Sequence, residues 1–399
     1  MSFDVIVVGG GIVGLSTAWQ LLGRKPTLRL LLVEKERALA QHQTGHNSGV
    51  LHAGLYYKPG SAKARLAVQG LQQMVAFCRD HGIPFEQCGK IVVARDEAEL
   101  PRLEALFERG LANGLLGLQK LSRERIKELE PYAAGVAAVH VPQEGIVDYS
   151  AVALKLGELI QQAGGEIRCS TCVERLVTRD NMWVVETTTG EFHARFVITC
   201  AGLHADRLVR AAGGRPTARI VPFRGEYYKI RKDRQHLVRN LIYPVPDPKF
   251  PFLGVHFTRL IGGGVEAGPN AVLAFAREGY SWRDLNLRDL GESVLFPGLW
   301  RFACAHPRMC VAELWTSFSK AAFCKRLQRL VPAIQPEDLE PGGAGVRAQA
   351  MRPDGTLVED FMFDEARGIL HVLNAPSPAA TAALAIGEKI AERVLAQLG

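Results

Sequence analysis

Phe3-Asp-Val-Ile-Val-Val-Gly-Gly-Gly-Ile-Val-Gly14 is the stretch on which the reading of the fold turns. Residues 3–8 form a short apolar, β-rich run, and the apolar spacing of Ile12–Leu22 after the glycines is helical. A second β run, Leu28–Val33, stops at Glu34. Strand, glycine turn, helix and strand in that order predict a βαβ unit. Gly9, Gly11 and Gly14 satisfy Gly-x-Gly-x-x-Gly at its first junction. Gly9 permits the tight turn, Gly11 lets backbone approach a pyrophosphate, and Gly14 lets helix and strand pack closely. Ile12 and Val13 open the helix, whose free N–H groups and positive dipole end favour phosphate. Glu34, twenty residues past Gly14, is placed to accept ribose hydroxyls and to repel a 2′-phosphate. The segment therefore predicts a dinucleotide site.

Outward from this unit, residues 61–81 carry helical spacing in Leu66, Leu71, Met74, Val75 and Phe77, and residues 90–140 read as a strand-and-helix insertion. A helix is predicted over 148–163, strands over 166–177 and 182–187, and a strand Phe192–Cys200 that runs into Ala201-Gly202. From about 217 to 340, strands alternate with prolines and aromatics, as in Ile220–Ile230 and Phe252–Ile261, predicting a sheet-rich second domain. Gly368–Leu373 reads as a strand and Ala379–Leu398 as a long amphipathic helix. The expected division is a cofactor domain of residues 1–85, 145–216 and 341–399 and a substrate domain of residues 86–144 and 217–340. The start of the unit at residue 3, and a second strand-to-glycine segment Arg195-Phe-Val-Ile-Thr-Cys-Ala-Gly202, favour FAD over NAD. The expected class is α/β plus α+β.

Of 399 residues, 47% are apolar and 22% charged, the balance of a globular chain long enough for two interleaved domains. Forty-eight basic and 41 acidic residues give a net charge of +7, spread without a basic tail or block. Nucleic-acid binding is not expected; an anionic cofactor, an anionic substrate or peripheral contact with an anionic membrane face is. No stretch reaches the roughly 18–20 apolar residues of a membrane span. Met-Ser-Phe-Asp lacks the basic start of a signal peptide, so a cytoplasmic location is expected. Eight irregularly spaced cysteines are expected to be reduced thiols. Cys169 and Cys172, in the alternating stretch Glu166–Thr178, are expected on opposite strand faces, and no metal site is predicted.

Residues 41–57 carry hydroxyl, amide and imidazole groups among small residues, as a loop passing a flavin requires. With this loop, Pro222-Phe-Arg-Gly-Glu-Tyr227, Tyr243-Pro-Val-Pro-Asp-Pro248, Pro251-Phe-Leu-Gly-Val-His-Phe-Thr-Arg259, Gly268-Pro-Asn-Ala-Val-Leu-Ala-Phe275, Gly345-Val-Arg-Ala-Gln349 and Asn374-Ala-Pro-Ser-Pro-Ala-Ala-Thr381 resemble the D-amino-acid oxidase/glycine oxidase superfamily over essentially the whole chain. Within it, the chain is similar to the L-2-hydroxyglutarate dehydrogenase/oxidase family. The resemblance implies a Rossmann-like FAD domain of the glutathione-reductase type and a β-sheet substrate domain over the flavin. It places Gly9, Gly11, Ile12, Val13, Gly14, Glu34, Lys35, Thr44, His46, Asn47, Ser48, Gly49, Val173, Ala201 and Gly202 at the cofactor. Ser377, Pro378 and Ala379 would set the last helix's N-terminus near flavin O2 and N1, although Asn-Ala-Pro-Ser-Pro replaces the glycine-rich segment of many relatives. His46 takes the position from which some relatives bind flavin covalently; packing or hydrogen bonding within the loop is the preferred role.

The implied reaction is oxidation of L-2-hydroxyglutarate to 2-oxoglutarate, with electrons passed to a quinone or oxygen. Such chemistry needs a base of near-neutral pKa and cations for carboxylates. His52 and His256 are the candidate bases, and the sequence leaves the choice open. Arg347 resembles the arginine that pairs bidentately with the substrate carboxylate. Arg259, Arg224 and Lys58 are candidates for a second carboxylate, and Tyr57, Tyr227 and Asn374 for orienting hydrogen bonds. The alternatives are another small substrate (an amino acid, malate or glycerol 3-phosphate), a non-catalytic flavoprotein, or an RNA-modifying module, which would need clustered basic and aromatic residues.

Overall fold

Val5, Ile6 and Val7 leave the first strand without a polar side to show to water, and a strand apolar on both faces must be covered on both. In the computed structural model, which describes residues 2–247 and 253–398, the strand Ser2–Val8 lies inside an eight-stranded sheet with all three side chains fully buried. It pairs in parallel with Leu30–Val33 and with Gly190–Thr199. The latter is long enough for two further partners: Met182–Thr187 runs antiparallel to its first half, and Ile369–Asn374 parallel to its second. The helices Ile12–Arg24, Tyr149–Gln162 and Ala383–Leu398 pack together as a layer on this sheet. The final helix approaches the first so closely that a Cβ on Gly387 would lie 2.6 Å from the Ser16 backbone.

A nine-stranded sheet forms the second layer system. Its spine is the antiparallel pair Arg219–Ile230 and Leu339–Met351, which runs from Arg219↔Met351 to Ile230↔Leu339 with a register shift between Glu226 and Tyr228. Lys90–Ala94 joins the same sheet, parallel to Leu241–Pro244 and antiparallel to Ala137–Val141. Segments far apart in sequence, 90–141 and 219–351, thus build one surface. A small sheet links the two large ones, with Val50–Leu51 and Phe85–Glu86 flanking Gly145–Val147.

Three local expectations change. Residues 287–328 form four helices, Leu287–Val294, Pro297–Ala305, Pro307–Phe318 and Lys320–Gln328, within the span read as strands and prolines. Pro297 and Pro307 open helices, where a missing N–H costs nothing. The stretch read as one strand over 166–177 is two, because Glu166–Arg168 pairs with Leu30–Val33 and Val173–Arg179 with Met182–Thr187. Cys169 and Cys172 lie in the connection, not on strand faces, and all eight cysteines are free. The last helix starts at Ala383 instead of Ala379. Pro378 disfavours helix before it, and the turn bonds Ala379 N–H to Pro376 O and Ala382 N–H to Pro378 O fill the gap. Pro248, Pro251 and Phe252 of the quoted motifs lie outside the described residues.

A Cβ on Gly14 would sit 2.1 Å from the Gly9 carbonyl oxygen. Gly14→Ala is expected to destabilise the protein by about 1–3 kcal/mol through forced backbone separation. Urea denaturation would check this; an unchanged midpoint at unchanged slope would show that helix and turn part freely.

Candidate active site

The turn after the first strand needs glycine for two reasons: Gly9 has φ +113°, and a Cβ there would meet Cys200 O at 2.4 Å. The helix that follows has no cap from its own N-cap residue, Gly11. Thr44 supplies one from a distance, its Oγ1 accepting the Ile12 N–H at 3.0 Å. Asn47 secures that loop, donating to Thr44 O at 2.6 Å and accepting the Gly49 N–H at 2.8 Å. Glu34, at the end of the second strand, accepts the Gly10 N–H at 2.6 Å and the Glu36 N–H at 2.9 Å. Beside it, Lys35 bridges Glu36 and Glu278, the latter at 2.6 Å, while His204 reaches Glu278 at 2.8 Å. Burial alone would raise Glu278, but hydrogen bonds from His204 and Lys35 outweigh it and hold the carboxyl at about 2.

These groups border a cavity of about 1560 Å³. Gly9, Gly11, Ile12, Val13, Glu34, Lys35, Thr44, His46, Asn47, Ser48, Val173, Ala201, Gly202, Ser377, Pro378 and Ala379 line it, and so do His52, His256, Tyr57, Lys58, Tyr227 and Arg347. Five expected site residues are not in its wall. Gly14 is wedged against Gly9, and Gly49, at φ +65°, backs onto Val147 O. Arg224 is fully buried, donating to Ser281 O at 3.0 Å and pairing with Glu226 at 2.9 Å under the Trp282 ring. Arg259 pairs with Glu86 at 2.6 Å. Asn374 donates to Val358 O at 3.0 Å and Asp360 O at 2.9 Å, which makes it a clamp on a loop. His46 donates from Nδ1 to Ala344 O, 3.0 Å away, with its ring stacked on Tyr280 at 4.1 Å.

The two candidate bases differ in their surroundings. His256 stacks on Tyr243, with centroids 3.8 Å apart, and its Nδ1 lies 3.0 Å from Gly254 O. A carbonyl only accepts, so Nδ1 carries the hydrogen. Burial pushes this imidazole down to about 3, with the charges of His52, Lys90 and Arg347 adding to it. His52 instead turns Nδ1 toward Glu144 Oε2 at 3.6 Å. Glu144 is fully buried and pairs with Lys90 at 2.5 Å. Lys90 in turn lies over the rings of Tyr56 at 4.5 Å and Tyr243 at 4.8 Å.

The sequence reading missed Glu144, Lys90 and Lys63. Lys90 carries a faint signal, a cation inside the apolar run Lys90–Ala94; Glu144 looks like an ordinary hairpin-turn residue. Lys63 lines the cavity over the Tyr57 ring, and burial brings it down to about 8 against the opposing charges of Asp360 and Glu359.

A family profile described as "FAD dependent oxidoreductase" matches residues 4–393. The chain belongs to that family. An L-2-hydroxyglutarate dehydrogenase of Indibacter alkaliphilus is 50% identical over 396 residues, 99% of this chain and 99% of the relative. The mitochondrial L-2-hydroxyglutarate dehydrogenase of Homo sapiens is 46% identical over 410 residues, covering 98% of this chain and 89% of its own length. Among solved structures, the dithionite-reduced, FAD-bound L-α-glycerophosphate oxidase of Mycoplasma pneumoniae superposes with a TM-score of 0.81 at 25% identity, over 99% of this chain and 95% of that one. The site of this FAD dependent oxidoreductase fits its family's cofactor. Its cavity of about 1560 Å³ exceeds the ~300–1000 Å³ of a drug-sized ligand, leaving space for a dinucleotide and a small acid together. No helix among the described residues is long and apolar enough to cross a membrane.

The neutral state of His256 has a stability consequence. The unfolded chain binds a proton near pH 6.5 that the folded chain refuses until about 3, so stability falls as pH drops through that window. Between pH 6.5 and 4.5 this amounts to roughly 2 kcal/mol. Urea midpoints across that range should fall more steeply in the wild type than in His256→Phe; parallel slopes would contradict a buried neutral imidazole.

Proposed function

We propose that this protein oxidises L-2-hydroxyglutarate to 2-oxoglutarate, with FAD as its cofactor. One observation carries the reading: His52 and Arg347 share a cavity wall with the Gly9–Val13 turn, in a chain half identical along its full length to an L-2-hydroxyglutarate dehydrogenase. FAD, when bound, accepts the hydride from the substrate's Cα. The Gly9–Val13 turn, Glu34, Thr44–Ser48, Ala201, Gly202 and Ser377–Ala379 are the residues to hold it. Arg347 pairs with the 1-carboxylate; its guanidinium, shielded from bulk water, also donates to Asn270 O at 3.0 Å. Lys58 and Lys63 are the cations of the same wall suited to the second carboxylate, because Arg224 and Arg259 are committed elsewhere. His52 takes the hydroxyl proton at Nε2, leaving neutral His256 to accept a hydrogen bond.

Anaerobic mixing with L- and D-2-hydroxyglutarate, malate, lactate, glycerol 3-phosphate and amino acids should bleach the flavin fast only with the L-2-hydroxy acid. Fast bleaching by an amino acid alone would replace this assignment. Arg347→Ala is expected to lower kcat/KM about 100-fold or more, chiefly through KM, as the loss of two charge-assisted hydrogen bonds requires.

The electron acceptor in this reading is a membrane quinone, and the location is cytoplasmic, at the membrane's inner face; eight free thiols accord with a reducing compartment. Its support is a surface. Nine of the fourteen exposed large apolar residues among those described fall between 285 and 318. On the helix Pro307–Phe318 they recur at Val311, Leu314, Trp315 and Phe318, an apolar stripe turned to solvent. The exposed charged residues of 281–329 are all basic: Arg283, Arg288, Arg301, Arg308, Lys320, Lys325 and Arg329. Cations around an apolar stripe attract anionic lipid at ~1 kcal/mol each and oppose docking of a second copy. Sedimentation with vesicles should show binding to phosphatidylcholine containing phosphatidylglycerol, weakened by salt and reduced at least about tenfold in Trp315→Ser/Phe318→Ser. Equal recovery with and without anionic vesicles at low salt would remove the membrane from the account.

A further inference from the structure

His52 is the residue after the Val50–Leu51 strand, and the antiparallel register Val50↔Ile146, Leu51↔Gly145 brings Glu144 opposite it. That pairing is tightly held. A Cβ on Gly145 would meet Glu86 O at 2.1 Å, and Gly89 N–H donates to Glu144 O at 2.9 Å. The Glu144 carboxylate accepts the Ala53 N–H through Oε1 at 3.2 Å and meets Lys90 Nζ through Oε2 at 2.5 Å. Oε2 is also the atom that faces His52 Nδ1, at 3.6 Å. Neither Glu144 nor Lys90 lines the cavity, and neither touches solvent.

A buried ion pair is a weak source of stability, since two well-packed apolar side chains of similar size serve as well or better. This one lies directly behind the ring expected to take a proton. We propose that the Lys90–Glu144 pair is a positioning device for His52, fixing its Nδ1–H tautomer and setting how readily its Nε2 gains and releases the substrate's proton. The proposal rests on His52 as the base.

The two partners act in opposite directions. A carboxylate accepts but never donates, so an imidazole nitrogen facing it carries the hydrogen and the other nitrogen keeps its lone pair. The same carboxylate favours the imidazolium formed when His52 takes the hydroxyl proton. Lys90 offsets that bias from the far side of the same oxygen, and the Tyr56 and Tyr243 rings replace part of the ammonium's lost hydration. The pair is ionised: burial alone would raise Glu144, but the charge of Lys90 and the contact with His52 outweigh it and bring the carboxyl to about 2. Other titratable or charged groups near His52 are His256, whose imidazole feels its charge, Arg347 beyond His256, and the phenols of Tyr56, Tyr57 and Tyr149, all of which feel Glu144. Tyr149 also shares the Thr381 hydroxyl with the His52 N–H.

The test is the pH profile of kcat/KM in FAD-loaded variants with unchanged flavin absorbance. Glu144→Gln keeps the shape and the acceptor for Ala53 N–H. It is expected to lower kcat about 10- to 100-fold with little change in KM, and to move the acidic limb to lower pH. Lys90→Met is expected to move the limb the other way, to higher pH. Should Lys90→Met not fold, the double variant Glu144→Gln/Lys90→Met carries no unpaired buried charge, and its limb is expected at higher pH than that of Glu144→Gln. Wild-type profiles in these variants, or shifts of one sign, would overturn the positioning role. His52→Gln separates the two ideas: if it turns over at the wild-type rate, His52 is not the base, whatever the pair does.

Discussion

Gly14 packs so close to Gly9 that a Cβ on it would meet the Gly9 carbonyl oxygen at 2.1 Å, and much of the site hangs from this approach. With no side chain on either residue, the first helix begins directly after a strand that is buried from Val5 to Val8. Its first N–H groups therefore open onto the cavity instead of onto a neighbouring helix. The position of that helix start sets the position of Thr44, which accepts the Ile12 N–H. Thr44 carries the loop 41–49 with it, and the loop continues into Val50–Leu51 and His52. A turn read from three glycines thus fixes the place of a side chain some forty residues later through one capping bond.

The second dependence runs through strand pairing between distant segments. Lys90–Ala94 and Leu241–Pro244 are parallel neighbours, with Leu241↔Lys90 and Tyr243↔Val92 in register. That pairing puts the Lys90 ammonium beside the Tyr243 ring and Tyr243 against His256. The small sheet brings Glu144 to the same place from a third direction. Three connections, none of them local, converge on one buried charge pair.

This is why legibility is uneven. The βαβ unit could be read because each of its signals, the continuous apolar run, the glycine spacing and the terminal acid, is local. The 287–328 helices were hidden by prolines, which mark helix starts as readily as loops. Arg224 and Arg347 look alike in sequence, but Arg224 pairs with Val346 and Phe223 with Arg347, so alternation sends the two arginines to opposite faces. Arg224 meets Glu226 and Trp282 there, and Arg347 meets the cavity. Which face of a strand is inside depends on what the partner strand covers, and that partner lies more than a hundred residues away. Glu144 and Lys90 were illegible for the same reason: their meaning lies in their contact with each other and with His52.

The directions of ionisation around the cavity share one physical origin. The phenols of Tyr56, Tyr57, Tyr227 and Tyr243 are all raised, with burial the first cause in each, and Tyr227 reaches about 12. His256 is pushed down to about 3 by the same desolvation. A site that resists charge so consistently magnifies each charge it does contain, since Coulomb energies grow as the local dielectric falls. Three kinds of cation are kept there nonetheless: Lys90 locked to Glu144, Lys63 brought down to about 8, and Arg347, a group that stays protonated even when shielded. In such surroundings a doubly negative acid is a ligand whose own charges relieve the cost of burying the two that line the cavity, Lys63 and Arg347. A neutral ligand of the same size would bring no charge of its own to Lys63 and Arg347, so the burial that keeps His256 neutral also favours an anionic ligand.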